Sequence, residues 1–549
     1  MITGNLKSID LSTSSFQRMI EKGNLYIDKT RMIENFLNES SSVQLITRQR
    51  RLGKSLNMDT LKCFLTDKKD NRRLFKGLYI ENSPAWEKAN SAPVFYFDFK
   101  GLNTETYKKS IYFMIVEYIK NYCDEKNIPE AVQEYILNKN YGDTDGLLHL
   151  TKSVYQATGK RSYILIDEYD KMMMDNYKSD KYDEIRKYET LLFSAGFKGN
   201  EYLEKALLTG VMRISRESLF SGLNNIDVFD IFNDSAYTED YGFTEAEIDE
   251  LQAAAGFDKD ELKSWYNGIM INGQAIYNTY STTNYLKSGE YKCYWTMSGV
   301  MDIIAGLLNE ERRKTLAKLL NGETVTETVE ERISVADLSR DSGDEDFYSL
   351  LAQAGYLSVK KTLAGGDKME LAIPNTELTL AWKKFVLKQE FKASSRYLRG
   401  LFENGGDAGK FAEDLERVLG DRLSYHDLAA LQGADGRKAV EILYHVFLLG
   451  LLCADGHTRR KYPVSNRESG DGRFDICVER EEGSYIFELK ASESAENLEK
   501  DAAAAMGQIS AKRYGAELSG RVVKTGMAFF GKRCKVICVE GQCCAGDRG

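Results

Sequence analysis

At 549 residues the chain is too long for a single hydrophobic core, and the usual domain scale implies about three domains. Its composition, 42% hydrophobic and 29% charged, is that of a globular chain, and no run approaches the ~18 apolar residues of a membrane span. A net charge of −9 argues against bulk attraction to nucleic acid while leaving room for a local basic groove; nine cysteines without C-x-x-C pairs and only four histidines argue against a disulfide frame, a zinc site or a histidine-based metal centre.

Met1 to Lys7 does not read as a signal peptide, so a cytoplasmic chain with reduced thiols is expected. Phe16 to Lys22 and Thr30 to Leu37 read as short helices flanking Tyr26-Ile27-Asp28. Val43, Leu45 and Ile46 mark a buried strand. A cationic loop, Arg48 to Leu52, follows it, and Gly53-Lys54-Ser55 opens a helix to Leu65. That order suits a triphosphate. Backbone N–H groups and the helix N-terminus cradle phosphates, Lys54 reaches the β/γ oxygens, and the Ser55 hydroxyl takes a place on Mg²⁺. The pattern G-x-x-x-x-G-K-[ST] is incomplete, because Arg48 stands where its first glycine belongs; the plain alternative is a basic helix start beside a strand.

Pro93 to Phe99 reads as a further strand, followed by helices at Tyr107–Asn121, Ala131–Leu137 and Leu147–Ala157. Arg161 to Asp170 runs R-S-Y-I-L-I-D-E-Y-D, an apolar strand ending in Asp167 and Glu168. Ligands gather at the carboxyl end of a buried parallel strand. There Asp167 would hold Mg²⁺ through its water shell and Glu168 would polarise an attacking water. A helix over Tyr182–Phe193 and a strand at Ala206–Thr209 complete an alternation that implies a parallel sheet wrapped on both faces. Thr209 sits where a strand end could sense the γ-phosphate. Arg213 or Arg216 could neutralise charge in phosphoryl transfer, an exposed helical face being the equal alternative.

Several motifs in fixed order carry a resemblance: Tyr26-Ile27-Asp28-Lys29-Thr30, Thr47 to Ser55, Ile166-Asp167-Glu168-Tyr169-Asp170 and Leu208 to Ile214. They resemble the AAA-ATPase-like family of bacterial proteins, and the similarity continues through Phe220 to Asn225, Tyr241 to Thr244 and Trp265 to Gly268. The resemblance implies that an arginine replaces the first P-loop glycine, that Asp28-Lys29-Thr30 closes over the nucleotide, and that a nuclease-like domain of the PD-(D/E)XK superfamily ends the chain. Arg48, Arg51, Gly53, Lys54, Ser55, Asp167, Thr209 and Arg213 are then the expected ATP-binding residues, with Ser55 and Asp167 for Mg²⁺.

Thr244-Glu245-Ala246-Glu247 is a capping box, so a helix starts there and runs to Ala254. Helices at Asp260–Tyr266 and Asn278–Leu286 complete a lid. Asp302 to Leu320 repeats at helical spacing. Phe347–Ala354 precedes a hairpin of Tyr356–Val359 and Met369–Ile373 around Gly365-Gly366. Helix and hairpin suggest a winged-helix-like module; without an arginine cluster it reads as a spacer rather than a DNA reader. Gly405 to Gly409 reads as a turn in the next helical stretch.

Glu441 to Leu452 reads as a buried helix. Gly472 to Val478 and Tyr485 to Lys490 read as a hairpin centred between Glu481 and Glu482, which sets Asp475 opposite Glu488. Period-2 alternation places Lys490 on the face of Glu488, with Tyr485, Phe487 and Leu489 toward the core. Two carboxylates and a lysine at a strand end suit a metal-dependent nuclease, with Lys490 acting on the nucleophile. Arg473-Phe474-Asp475, Glu488-Leu489-Lys490 and Gln508-Ile509 to Tyr514 resemble the PD-(D/E)XK domain. In that resemblance Glu441 matches the first-helix acid, Asp475, Glu488 and Glu441 hold Mg²⁺ or Mn²⁺, and Gln508 and Tyr514 brace the site.

The expected fold is α/β multidomain: a P-loop parallel sheet (1–235), a helical lid (236–300), a winged-helix-like middle (301–395), a restriction-endonuclease-like α/β domain (396–540) and a tail (541–549). The expected function is ATP binding and hydrolysis coupled to cleavage of nucleic acid, catalysed by Glu168, Asp475, Glu488 and Lys490. The alternative is an ATP-operated signalling or scaffold protein whose nuclease-like domain only binds. Expected partners are ATP and nucleic acid, with no membrane and with a homo-oligomer left open.

Overall fold

The computed structural model describes the chain except residues 1, 7, 125–127, 129, 214–224, 296–299, 321, 332–337, 339–342, 364–365, 392–407, 423–440, 442–443, 446, 450, 453–463, 466–467, 470–471, 481–482, 516–517, 519 and 544–549. Two compact units divide it, residues 1–381 and 382–549.

The first unit is built on a five-stranded sheet. Its strands are β1 (Val43–Thr47), β2 (Val94–Asp98), β3 (Ser162–Asp167), β4 (Leu203–Gly210) and β5 (Ile226–Phe229), in the order β2-β3-β4-β1-β5. Every pairing is parallel. β1 and β3 are buried along their whole length, which is why they read as apolar runs. Helices at Tyr107–Tyr122, Gly146–Thr158 and Tyr182–Phe197 share a core with the strands through Ile115, Leu150, Leu192 and Phe193. The helix α1 (Lys54–Leu65) follows β1 directly.

Helices at Glu245–Ala255, Lys259–Tyr266 and Thr279–Ser288 lie in the stretch expected to form a lid, and the first begins on the expected capping box. A small hairpin, Ile269–Ile271 with Gln274–Ile276, lies between them and was not anticipated. In the middle segment, β6 (Val325–Thr328), β7 (Ser358–Thr362) and β8 (Lys368–Ala372) form a three-stranded sheet in the order β6-β8-β7, and helix α2 (Asp344–Gln353) lies between β6 and β7 in the chain. The expected hairpin is therefore present, with a third strand added to it. β6 escapes a reading of apolar pattern because its sequence, V-T-E-T, has one apolar residue.

The second unit carries a five-stranded mixed sheet, β9 (Val464–Ser465), β10 (Ile476–Glu479), β11 (Ser484–Ala491), β12 (Gly520–Phe530) and β13 (Arg533–Cys543), in that order. β11 and β12 are parallel, joined through helix α3 (Leu498–Ala511), and the other pairs are antiparallel. One face packs on a helix at Ala408–Arg422 and on the described residues of 441–452, which are helical. α3 covers the other face so closely that a Cβ on Gly526 would meet the Ala502 carbonyl at 2.6 Å. Gly526 is the register partner of Glu488. The expected continuous strand Gly472–Val478 is a correction: Gly472–Arg473 pairs with Glu468–Ser469 in a separate ribbon, and the chain leaves strand geometry at Phe474 and Asp475. Gly405 to Asp407, read as a turn, lies outside the described residues.

Candidate functional site

At the carboxyl end of β1 the chain turns through residues 48–53 into α1. Gly53 adopts φ +88° with open space where a Cβ would stand, so glycine is selected by conformation alone. Arg51 holds φ +68°, uncommon for a residue with a side chain. Residues of 279–294 secure it there. Its guanidinium lies 4.0 Å from the Tyr280 ring centroid and donates to the Tyr294 carbonyl at 2.7 Å, while the Thr279 hydroxyl donates to its own carbonyl at 2.7 Å.

The buried Lys54 ammonium donates to the carbonyls of Arg48 (2.7 Å) and Gln49 (2.8 Å). Burial lowers its pKa to about 8, against the opposing pull of Asp167, Asp170 and Glu168. Ser55, half-buried, is the second residue of α1. Arg48 departs from expectation. Its side chain points inward, wholly buried, to pair with Asp234, donate to the carbonyls of Thr47 (2.8 Å) and Phe229 (3.0 Å), and lie over the Tyr241 ring. The Arg48 guanidinium, expected to bind ATP, is thus a strut behind the loop in this structure.

Asp167 ends β3, buried, with its carboxylate fixed from three sides. The Thr209 hydroxyl donates to Oδ1 at 2.5 Å, the Glu168 N–H donates to Oδ1 at 3.1 Å, and the Tyr96 hydroxyl faces Oδ2 at 3.4 Å. Thr209, expected to sense phosphate, spends its hydroxyl on Asp167. Glu168 takes φ +55°, and burial followed by the neighbouring Asp167 raises its pKa. Asp170 accepts from the N–H groups of Val211 and Met212, both at 2.8 Å, and the Tyr169 hydroxyl donates to the Met212 carbonyl, so this acidic motif also pins the end of β4.

Arg213 pairs with Asp230 at 2.6 Å and lies 3.6 Å from the Glu331 carboxylate. Arg216 lies outside the described residues. Asp28 and Lys29, which the resemblance implied would close over the nucleotide, make other contacts in this structure. Asp28 accepts from the Thr30 N–H and hydroxyl and from the Tyr79 N–H, and Lys29 bonds the Glu239 carbonyl and Glu247, fastening this segment to residues 239–247. Sequence reading missed Tyr96, Asp170 and Asp234. Only Asp170 had a signal, its place in the acidic run after β3.

In the second unit the register Ile476↔Phe487, Cys477↔Ile486, Val478↔Tyr485 sets Asp475 level with Glu488, as the hairpin reading required. Tyr485, Phe487 and Leu489 are core residues on one face. Glu488 is 2% exposed, its Oε2 has no hydrogen-bond partner among the described residues, and Lys490 Nζ stands 3.5 Å from its Oε1. Burial first, and then Asp475, pushes the Glu488 carboxyl up to about 7. Asp475 Oδ2 accepts from the Leu489 N–H at 2.7 Å, and Oδ1 lies 4.0 Å from His445 Nδ1. Glu441 Oε2 accepts from the Ala491 N–H at 3.3 Å. Gln508 and Tyr514 meet at 3.5 Å beside this site.

The three-carboxylate metal set is corrected in one respect. Among the described residues, the one group bringing three ligand atoms within 4.8 Å of one another is Asp143, Asp145 and His149; Glu441, Asp475 and Glu488 do not. Backbone N–H groups occupy one oxygen each of Glu441 and Asp475. The orphaned, buried Glu488 Oε2 still fits a cation, which would relieve both its burial and its repulsion from Asp475.

Residues 10–220 match the family model described as predicted AAA-ATPase, and residues 440–538 match the PD-(D/E)XK nuclease superfamily. An uncharacterised protein from the region 5′ of vnfD in Azotobacter chroococcum is 29% identical over 387 residues, 69% of this chain and 70% of that protein. A solved structure, the Walker-type ATPase of Pyrococcus abyssi, shares 14% identity with a TM-score of 0.32, covering 65% of this chain and 94% of that one. No helix among the described residues is long and apolar enough to cross a membrane. The chain therefore carries a region that matches the predicted AAA-ATPase family, followed toward the carboxyl end by one that matches the PD-(D/E)XK nuclease superfamily.

Proposed function

We propose that the chain is an ATP-binding and ATP-hydrolysing switch or motor whose second unit is a metal-dependent nuclease acting on phosphodiester bonds. The observation that carries this reading is the meeting of Lys54, Asp167, Glu168 and Thr209 at the carboxyl ends of β1, β3 and β4, with Asp167 locked in place by Thr209 at 2.5 Å. Lys54 would exchange two loop carbonyls for phosphate oxygens. Ser55 and Asp167 would hold Mg²⁺, which neutralises phosphate charge when bound. Glu168 would orient the attacking water, its raised pKa making it a better proton acceptor at neutral pH. Residues 1–235 would form the nucleotide body, 236–300 a lid and 301–395 a winged-helix-like segment, the last running past the end of the first unit at residue 381.

In the second unit Asp475 and Glu488 would hold Mg²⁺ or Mn²⁺ and Lys490 would orient the nucleophile. A second reading, in which this domain binds nucleic acid without cutting it, is favoured by the spacing of its carboxylates and by the backbone bonds that occupy Glu441 and Asp475. One experiment separates the two. The full chain is incubated with single- and double-stranded DNA and RNA, Mg²⁺ or Mn²⁺, with and without ATP, following both phosphate release and strand cleavage. Cleavage that Asp475→Ala abolishes supports the nuclease. Metal-independent binding without cleavage supports the second reading.

A further inference from the structure

The turn that closes α2 reaches the nucleotide loop, although the sequence marked this segment only as a spacer. Gly355 adopts φ +83°, and a Cβ there would stand 1.6 Å from Gln49 Oε1 and 2.8 Å from Gln49 Cβ. Gln49 is 4% exposed, and its Oε1 has no hydrogen-bond partner among the described residues. Its backbone carbonyl is one of the two that hold the Lys54 ammonium. Two residues before Gly355, the Gln353 side chain accepts from the Arg213 N–H at 3.0 Å and donates to the Glu331 carbonyl at 3.1 Å. The next residue, Tyr356, stacks on Trp295 at 5.4 Å. One short turn therefore abuts the P-loop on one side and the chain just after β4 on the other.

We propose that Gln353 and Gly355 are positioning residues of the nucleotide site, and that Gln49 is the contact through which phosphate occupancy reaches the middle segment. The inference rests on the reading that residues 48–55 bind nucleotide. Arg48 is locked behind the loop by Asp234, so when Lys54 turns to phosphate, Gln49 is the adjustable half of its carbonyl pair. Any rotation of Gln49 moves a side chain in direct contact with Gly355, where no larger residue fits. The same turn fixes Arg213 through Gln353, so the two sides of the site are set from one place.

The test uses the full chain with Mg²⁺ and a non-hydrolysable ATP analogue. Hydrogen exchange is followed over residues 344–362, and affinity is followed with a fluorescent ATP analogue. Nucleotide should alter exchange in this segment of the wild type, and Gln49→Ala should remove that response at saturating nucleotide. Gln353→Ala should weaken nucleotide roughly two- to tenfold, the size of one lost hydrogen bond, while Gln353→Glu, which keeps the acceptor, should recover part of it. Gly355→Ala should cost more affinity with Gln49 present than in the Gln49→Ala background, because the 1.6 Å contact with Oε1 is then gone and only the Cβ contact at 2.8 Å and the φ +83° backbone remain. Tight binding with unchanged exchange over 344–362, or an equal cost of Gly355→Ala in both backgrounds, overturns the proposal. If the wild type binds no nucleotide at all, the P-loop reading itself falls and takes this inference with it.

Discussion

Glu488→Gln offers a measurement of the second unit that does not depend on finding its substrate. The carboxyl is almost wholly enclosed, one oxygen lacks a partner, and its pKa stands at about 7 against 4.5 for an ordinary glutamate. At about 1.4 kcal/mol per tenfold change in proton affinity, that displacement corresponds to roughly 3 kcal/mol. The opposing pull of Lys490 is already contained in that displacement. The sign follows from the direction of the displacement. Below pH 4.5 the group is neutral in both folded and unfolded chains, and its contribution is fully present. Between 4.5 and about 7 the unfolded chain ionises while the folded chain resists, so stability is lost as pH rises through that window. Above it both forms are charged, and the folded state carries the whole cost. The wild-type second unit should therefore melt at a lower temperature at pH 8 than at pH 5.5. Glu488→Gln, which cannot ionise, should lose most of this dependence and be the more stable of the two at pH 8. Mn²⁺ or Mg²⁺ should restore the wild type at pH 8 by an amount growing with metal concentration, and should leave Glu488→Gln nearly unmoved. Thermal melts of the full chain at pH 5.5, 6.5 and 8, with the metal varied, read all of this. An unchanged pH slope in Glu488→Gln would refute the reasoning.

Three further outcomes are expected. Lys54→Ala should weaken ATP binding, whereas Glu168→Gln should bind ATP but release phosphate slowly; calorimetry and single-turnover phosphate release distinguish them. Tyr96→Phe keeps the ring that packs under Lys62 at 5.1 Å and removes the hydroxyl facing Asp167, so the Mg²⁺ concentration needed for half-maximal hydrolysis should rise severalfold. Arg48→Met leaves the buried Asp234 uncompensated and should cost about 3–5 kcal/mol in denaturant unfolding, with Asp234→Asn in the same background recovering much of it.

Legibility followed the physics of each element. The parallel strands were readable because strands covered on both faces need apolar residues throughout, and β3 ends abruptly in acids at the point where the sheet ends. The register that sets Asp475 level with Glu488 was readable because a hairpin has one free parameter, the turn centre, and period-2 alternation supplied a check on it. β6 was not readable, since a half-exposed strand with one apolar residue takes its identity from β8, more than forty residues later. The break at Phe474 and Asp475 was hidden for the opposite reason. Those residues alternate well enough to continue a strand, and only the pairing of Gly472–Arg473 with Glu468–Ser469 shows that they do not.

Arg48 shows most clearly where local reading ends. In a loop with Arg50, Arg51 and Lys54 it looks like one more cation for phosphate, and nothing nearby contradicts that. Its partner is Asp234, 186 residues away, and its ring contact is Tyr241. Both belong to the segment after β5 that leads into the lid. Burying a guanidinium is costly unless its donors are met, and two backbone carbonyls with one carboxylate take up the Nη1 and Nη2 groups at the foot of β1 and β5, leaving Nε without a partner among the described residues. The side chain thus leaves the loop from behind, while its backbone carbonyl stays in front to hold Lys54 at 2.7 Å. A glycine at this position would supply the same carbonyl but no tie to the lid segment. The arginine makes the loop's resting geometry depend on residues 229–241, so a disturbance in that segment should be felt at Lys54 without any change in the loop itself.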